Sequence, residues 1–261
     1  MTGTKVSLTV EAGTAWITLD GPERRNALDA QAARDLAAIC DTIDADPATG
    51  VAVITGTGRA FCSGADTAIL NGIRTASPDR AYDGLDELYA GFRRFAGLKV
   101  PTVAAVNGAA VGAGMNMALG CDVRVAGASA RFDTRFLTLG LHPGGGHTWM
   151  MRRVIGPQEA AAMVLFGEVA DGAEAERIGL VHRCVPDGEL LAITHAMAAK
   201  AADAPRELAI TVKQTLRDMA DVGTHEAAVD RELEPQVWST QQPWFKERLA
   251  RMQARISGRK G

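Results

Sequence analysis

The stretch NGAAVGAGMNMALGCD, Asn107 to Asp122, places glycine and alanine residues where an apolar strand runs into a helix. The preceding PTVAAV is typical of a buried strand, and the following MNMAL favours a helix. The N–H groups of Gly112, Ala113 and Gly114 are therefore predicted at a helix N-terminus, where they have no intrahelical acceptor and attract negative charge. Because the side chains there are small, a ligand oxygen can reach the backbone, and we expect an oxyanion-stabilising site.

A second loop of small residues, RAFCSGADTAIL from Arg59 to Leu70, follows the apolar strand GVAVITG. It contains Ser63, Gly64 and Ala65 in succession, and it too can offer backbone N–H groups to a ligand. A third segment, PERRNAL from Pro22 to Leu28, carries two adjacent arginines. Arginines in a loop are usually solvated surface residues, so this segment indicates a binding role only when it is considered together with the other two.

Together, and in their order along the chain, the three segments resemble the signature regions of the crotonase (enoyl-CoA hydratase/isomerase) superfamily. The resemblance extends over nearly the whole chain. It implies an α/β protein with a crotonase-like ββα-superhelix (spiral) core over residues 1–200 and a C-terminal helical region over residues 201–261 for oligomerisation. It also implies an acyl-CoA thioester substrate, whose carbonyl oxygen would accept hydrogen bonds from the Ala65 and Ala113 N–H groups.

The same resemblance implies where coenzyme A binds. Arg24 and Arg25 would face its phosphates, for which the guanidinium fork is well suited, and the adenine would lie near the first oxyanion loop. The basic C-terminal helix would complete the site of its own or a neighbouring subunit. The residues implied in CoA binding are Arg24, Arg25, Ala27, Ser63, Asp66, Thr67, Phe245 and Lys246. For Asp66, capping of the next helix is the alternative role.

The acid–base residues depart from the family's best-known pattern. Enoyl-CoA hydratases have glutamates at two positions that here hold Asn116 and Phe136, and neither side chain can accept a proton as a carboxylate does. The segment that begins at Ala130 most resembles the ring-epoxide (phenylacetyl-CoA) isomerase branch, but Gly144 stands where that branch has an aspartate. Phe136 is predicted to form a wall of the substrate pocket.

Two histidines in this segment, His142 and His147, are candidate acid–base residues in place of the carboxylates, because imidazole titrates near neutral pH. Structural alternatives stay open. His147 can begin a helix, His142 can face solvent, and Asn116 can satisfy a backbone group instead of a ligand. Trp149 is expected in the core.

Hydrophobic content, net charge and cysteine spacing exclude several classes of protein. The 261 residues are 47% hydrophobic with a net charge of −3, so a large core is possible and there is no general attraction to nucleic acid or anionic membranes. The four cysteines are scattered without a CxxC pair, which predicts neither a disulfide framework nor a metal site. No apolar run reaches about 18 residues. We expect a cytoplasmic protein that holds no permanent cofactor, takes coenzyme A only as part of its substrate, and forms a homotrimer or a hexamer (dimer of trimers).

Hydrophobic periodicity predicts alternating strands and helices in the first half of the chain. A hairpin is expected from Val6 to Leu19, Asp29 is expected to cap a helix, and another helix is expected from Asp79 to Phe95. After Gly156 the pattern becomes helical. Helices are expected at Pro157 to Leu165, Glu189 to Ala202, Arg206 to Met219, Thr224 to Trp238 and Pro243 to Ile256.

Three functions remain open at this point. The first is an enzyme that acts on an acyl-CoA thioester through the oxyanion pair with altered acid–base residues. The second is an acyl-CoA-binding protein without chemistry. The third is a true hydratase or isomerase that recruits a carboxylate from the region of Asp83, Asp86 and Glu87. A P-loop or a dinucleotide-binding glycine motif is not expected, since neither pattern occurs.

Overall fold

The computed structural model describes residues 3–257. The chain divides into two compact units, Met1–Asp203 and Ala204–Gly261. The sequence expectation ended the core at residue 200, and the first unit ends three residues later because Leu190–Ala202 is one continuous helix.

Two β-sheets lie in the described part of the first unit. The strands are β1 Lys5–Glu11, β2 Thr14–Asp20, β3 Val51–Gly56, β4 Ala60–Cys62, β5 Thr102–Val106, β6 Ala109–Val111, β7 Val123–Gly127, β8 Arg131–Asp133, β9 Ala170–Asp171 and β10 Arg183–Val185. The first sheet has six strands in the order β1-β2-β3-β5-β7-β10, and the second has four in the order β4-β6-β8-β9. The predicted hairpin of β1 and β2 is confirmed, and from β2 to β10 neighbouring strands are parallel.

The helices of the first unit connect and cover these strands. They are α1 Ala30–Ala45, α2 Thr67–Thr75, α3 Pro78–Ala96, α4 Ala113–Leu119, α5 His147–Leu165, α6 Gly172–Arg177 and α7 Leu190–Ala202. The predicted cap of α1 is confirmed, since the Asp29 carboxylate accepts a hydrogen bond from the Ala32 N–H at 2.9 Å. Helix α5 begins at His147, ten residues before the predicted start at Pro157, and Gly156 with φ of 78° interrupts it.

The core of the first unit includes the face that the first sheet presents to α7. Val51 and Val53 of β3 and Val103 of β5 are buried there against Leu190 and Ala198 of the helix. These strands are buried on both faces, which explains their nearly continuous apolar sequences.

The second sheet corrects one expectation about the glycine-rich stretch. The chain does not pass directly from the buried strand β5 into a helix, because β6, Ala109–Val111, lies between them. Strand β6 pairs in parallel with β4 on one side and with β8 on the other. A strand of three residues is too short for periodicity to reveal, and tertiary pairing decided its conformation.

Trp149 is not a core residue, contrary to expectation. Its side chain is 62% exposed. The guanidinium carbon of Arg153, one turn later in α5, lies 4.3 Å from the centre of the indole ring. This cation–π contact covers one face of the ring without burying it.

The second unit consists of helices in its described part, as the sequence predicted. They are α8 Arg206–Asp218, α9 His225–Thr240 and α10 Pro243–Ser257. Within the unit, the rings of Trp238 and Trp244 meet edge to face at 5.9 Å. Among residues 3–257, no helix has both the length and the apolar character that crossing a membrane requires.

Candidate functional site

A cavity of about 970 Å³ lies in the first unit, at the carboxyl ends of β4, β6 and β8. Three segments that follow or end these parallel strands line it, namely residues 63–68, 111–113 and 134–136. Loops that follow parallel strands gather at one edge of their sheet, which is where α/β folds bind ligands. Strand pairing therefore brings together loops that are far apart in the sequence.

Backbone hydrogen bonds tie the first oxyanion loop to the arginine-containing segment. The Ser63 N–H donates to the Arg25 carbonyl at 2.9 Å, and the Leu28 N–H donates to the Gly64 carbonyl at 2.8 Å. The Asp66 N–H returns a bond to the Leu28 carbonyl at 2.9 Å. The two segments thus form one structural unit beside the cavity.

Asn26 holds this unit in place, and the sequence analysis missed it. The residue is fully buried with φ of 55°, and its side-chain oxygen accepts from the Gly21 N–H at 2.9 Å. Its amide nitrogen donates to the carbonyls of Thr57, Ala60 and Phe61 at 2.9, 2.8 and 3.2 Å. The residue type could have indicated its role, because asparagine adopts a left-handed backbone conformation more readily than most residues do.

The second oxyanion loop depends on a glycine conformation. Gly112, which precedes α4, has φ of 51° and ψ of −114°, and its N–H donates to the Asp133 carbonyl at 2.9 Å. Only glycine adopts such a conformation without strain. The two loops approach closely, since a Cβ atom on Gly64 would lie 2.8 Å from the Val111 carbonyl oxygen and 3.5 Å from the Ala113 nitrogen.

The two amides singled out by the sequence, those of Ala65 and Ala113, both belong to residues that line the cavity. Neither N–H donates a hydrogen bond to any other group in residues 3–257. Ala113 is also the first residue of α4, where the helix dipole favours negative charge. Both residues therefore lie on the cavity wall with N–H groups that have no acceptor among the described residues.

The residues implied in CoA binding divide between the two units. The cavity is lined by Arg24, Arg25, Ala27, Ser63, Asp66 and Thr67, whereas Phe245 and Lys246 are exposed residues of α10 in the second unit. Arg24 forms an ion pair with Asp66. The other carboxylate oxygen of Asp66 accepts a hydrogen bond from the Ala68 N–H at 2.7 Å, which is the helix cap that the sequence analysis gave as the alternative.

Asn116 and His147 form a buried pair near the cavity. The Asn116 amide nitrogen donates to the Gly144 carbonyl at 2.9 Å, and its oxygen lies 2.6 Å from His147 Nδ1. Because that oxygen can only accept, His147 carries its proton on Nδ1. His147 Nε2 is then an acceptor, and no partner for it occurs among the described residues. Burial lowers the pKa of the imidazole from 6.5 to about 4, so the ring is neutral at pH 7.

Neither histidine lines the cavity. His147 is 1% exposed, and its ring centre lies 5.0 Å from that of Phe136, which does line the cavity as predicted. His142 is exposed, and its Nδ1 lies 2.7 Å from the Pro143 carbonyl oxygen. Their roles in proton transfer stay predictions.

Helices α2 and α3 supply a wall that the sequence analysis did not describe. Leu70, Leu85, Leu88 and Tyr89 line the cavity. The amphipathic pattern of α3, in which apolar residues recur three and four positions apart, could have predicted that one face of this helix is apolar.

The carboxylates that the sequence analysis considered in this region do not line the cavity. Asp86 pairs with Arg93 at 2.9 Å and Glu87 pairs with Arg34 at 2.5 Å, and neither lines the cavity. Asp83 is exposed and does not line it either. Within residues 3–257, Asp66 is the one acidic residue of the cavity wall.

Comparison with known proteins agrees with the resemblance seen in the sequence. The sequence model of the Enoyl-CoA hydratase/isomerase family matches residues 9–251. A Mycobacterium tuberculosis protein named "Probable enoyl-CoA hydratase EchA14" is 45% identical over 255 residues, which cover 96% of this chain and 98% of that protein. A Rhizobium meliloti protein named "Probable enoyl-CoA hydratase" is 36% identical over 200 residues, 77% of this chain and 76% of that protein.

Solved structures give the same result for the fold. The crystal structure of an enoyl-CoA hydratase from Polaromonas sp. JS666 has a TM-score of 0.89 at 27% identity, covering 96% of this chain and 97% of the other. That of the enoyl-CoA hydratase from Bacillus anthracis has a TM-score of 0.87 at 26% identity, covering 97% and 96%. The chain therefore belongs to the enoyl-CoA hydratase/isomerase family, within the crotonase superfamily.

Proposed function

We propose that the protein binds an acyl-CoA thioester and stabilises negative charge on its carbonyl oxygen with the Ala65 and Ala113 N–H groups. One observation carries the proposal. Two amides that donate no hydrogen bond within the described chain belong to residues of one cavity wall, at the ends of two adjacent parallel strands. The charge stabilised in this way is that of an enolate or a tetrahedral anion, and each donor contributes about 2.7–4 kcal/mol.

The character of the cavity supports an acyl-CoA ligand. Arg24 and Arg25 provide positive charge near the first oxyanion loop, as binding of the CoA phosphates requires. Leu85, Leu88 and Phe136 provide an apolar wall for the acyl chain. We extend the CoA site to Ala27, Ser63, Asp66 and Thr67, and to Phe245 and Lys246 of the same or a neighbouring subunit. A homotrimer or a dimer of trimers in the cytoplasm remains our expectation.

We propose that proton transfer, if the protein is an enzyme, does not use a pair of glutamates. By the resemblance, Asn116 and Phe136 occupy the two positions at which enoyl-CoA hydratases have glutamates. The Asp66 carboxylate already pairs with Arg24 and caps α2. Of the two histidines, His147 is the stronger candidate. It is bonded to Asn116, packs against Phe136 and has an unpartnered Nε2 among the described residues, whereas His142 faces solvent.

A second candidate function is acyl-CoA binding without turnover. It is favoured by the cavity wall itself, on which no histidine and no uncommitted carboxylate occur within residues 3–257. Crotonyl-CoA hydration measured from pH 5 to pH 9 distinguishes the two functions, with the variants His147→Ala and His142→Ala. Turnover that His147→Ala abolishes and His142→Ala preserves supports the enzyme with a histidine base. Tight binding of acyl-CoA without any turnover supports the binding protein.

The oxyanion site can be tested without activity by infrared difference spectroscopy of butyryl-CoA with a ¹³C-labelled carbonyl. Two hydrogen bonds to the oxygen should move the carbonyl stretch to lower frequency on binding. Gly112→Ala cannot keep the backbone conformation of Gly112 and should lose most of this shift, because the Ala113 N–H is displaced. The control Gly188→Ala, where a Cβ meets nothing within 4 Å, should keep it.

A bound carbonyl whose frequency equals that in buffer would contradict the proposal. A crystal structure with butyryl-CoA gives an independent answer that does not depend on any variant. The thioester oxygen is expected about 3 Å from both the Ala65 and the Ala113 nitrogens. A thioester bound elsewhere would also refute it.

A further inference from the structure

Tyr89 occupies the space beside the glycine pair Gly144–Gly145. A Cβ atom on Gly144 would lie 2.5 Å from the Tyr89 hydroxyl oxygen, and one on Gly145 would lie 2.5 Å from its Cε1 atom. Both distances are far below van der Waals contact, so a side chain at either position would require the Tyr89 ring to move. The loop and the ring are therefore packed as one unit, and Tyr89 also lines the cavity.

Hydrogen bonds and chain connectivity relate this phenol to the proposed oxyanion site. The Gly144 carbonyl accepts the hydrogen bond of the Asn116 amide, and Asn116 lies one helical turn after Ala113 in α4. A Cβ on Gly145 would lie 2.9 Å from the same amide nitrogen. The phenol ring and the Asn116 amide therefore lie beside the same glycine, Gly145. Tyr89 takes no part in the ion pair of Arg24 and Asp66.

The Tyr89 hydroxyl has unused hydrogen-bonding capacity. Two other hydroxyls of the cavity wall are engaged, since Ser63 donates to the Arg24 carbonyl at 3.3 Å and Thr134 donates to the Met163 carbonyl at 3.1 Å. None of the hydrogen bonds among residues 3–257 involves the hydroxyl of Tyr89. Its neighbours Leu85 and Leu88 on the same helix are apolar, so they offer it no partner.

The protonation state of the phenol suits hydrogen-bond donation. Burial raises the pKa of Tyr89 above its usual value near 10, because the charged phenolate loses hydration. The hydroxyl group is therefore protonated across the neutral range. A half-buried phenol binds most strongly to a ligand that offers an oxygen acceptor at this point.

From this geometry we infer that Tyr89 is a specificity-determining residue that donates a hydrogen bond to an oxygen substituent on the acyl chain. The inference rests on the proposed function, since it requires an acyl-CoA in the cavity. It narrows the substrate class to acyl-CoA thioesters that carry a hydroxyl or keto oxygen near the thioester. An apolar ligand would leave the phenol without a partner, and a site built for a hydrogen bond discriminates against such a ligand.

The test compares two ligands that differ by one oxygen, butyryl-CoA and 3-hydroxybutyryl-CoA, by isothermal titration calorimetry on the full chain. The variants are Tyr89→Phe and, as a matched control, Tyr82→Phe, which removes the hydroxyl of a tyrosine that is 72% exposed on the same helix. Wild type and Tyr82→Phe should bind the hydroxylated ligand more tightly than butyryl-CoA. Tyr89→Phe should lose up to about tenfold of that preference, the factor that one hydrogen bond of about 1.4 kcal/mol supplies.

Butyryl-CoA serves as the internal reference, because its affinity reports whether the Tyr89→Phe cavity is intact. An unchanged ratio of the two affinities in Tyr89→Phe overturns the role of Tyr89 and leaves the proposed function standing. An equal loss for both ligands also overturns it, since it shows a structural role for the hydroxyl. If the wild type binds neither ligand, both the proposed function and this inference fail.

Discussion

The cavity has two walls that differ in how they are built. The strand-end wall comprises residues 22–28, 63–66 and 112–113, and backbone hydrogen bonds and glycine conformations hold it together. The helical wall comprises α2, α3 and residues 136–141, and packed side chains hold it together, with the buried pair of Asn116 and His147 behind Phe136. The first wall carries the backbone N–H groups that we propose as donors to a thioester, and the second carries the side chains that would select the acyl group. The difference suggests that binding of the thioester and choice of the acyl group can be altered independently.

The largest effect is expected from removing the Asn26 side chain, which stabilises the strand-end wall. Asn26→Ala leaves the Gly21 N–H and two of the three carbonyls without this partner, whereas the Ala60 carbonyl keeps a hydrogen bond from the Asn107 amide at 3.2 Å. We expect a loss of about 4 kcal/mol in the free energy of unfolding, since each buried polar group left unpaired costs about 1–3 kcal/mol. Urea denaturation followed by circular dichroism measures it.

The matched control is Asn71→Ala on the exposed surface of α2, which should change the free energy of unfolding by less than about 0.5 kcal/mol. A similar, small effect of both substitutions would show that the backbone bonds of the strand-end wall suffice without Asn26.

A smaller effect is expected from protonation of His147, which packs behind the helical wall. The pKa of His147 is about 4 in the folded chain against 6.5 as its ordinary value. Between these values the unfolded chain binds more protons, so the free energy of unfolding falls as the pH is lowered from 6.5 to 4. The contribution of this one group is about 3 kcal/mol, from about 1.4 kcal/mol for each pKa unit.

Urea denaturation at pH 7, 5.5 and 4.5 isolates this contribution when the wild type is compared with His147→Asn, which keeps a donor for Asn116 but does not titrate. The wild type should lose more stability than the variant as the pH falls. His142→Asn at the exposed position should follow the wild type. Parallel pH profiles for wild type and His147→Asn would refute a buried neutral imidazole.

The smallest effect is expected at the exposed surface of α5. Trp149→Ala removes an indole that is 62% exposed and in contact with Arg153, so the free energy of unfolding should fall by no more than about 1 kcal/mol. Phe132→Ala, which truncates a fully buried ring, should cost about 3–5 kcal/mol in the same measurement. Comparable losses at both positions would mean that Trp149 is covered in the native assembly.

Much of the strand-end wall could be predicted from the sequence, because its determinants are residue types with fixed consequences. Gly112 permits a backbone conformation that other residues avoid, and Asp29 caps the helix that follows it. The short strands β4, β6 and β8 could not be predicted, since three residues carry no periodicity. The sequence showed that Ala65 and Ala113 belong to loops of small residues, and the pairing of β4 with β6 brought those loops to one sheet edge.

The helical wall was decided almost entirely by tertiary structure. The sequence contained His147, Asn116 and Tyr89, but no local pattern states that the first two share a hydrogen bond or that the third packs on Gly144. Those contacts join residues 28 or more positions apart, and they arise only when α3, α4 and α5 pack together. The sequence by itself determined the family, the alternation of strands and helices in the first unit and the helical character of the second. Only the tertiary structure decided which side chains meet at the cavity, because packing acts between segments that carry no information about one another locally.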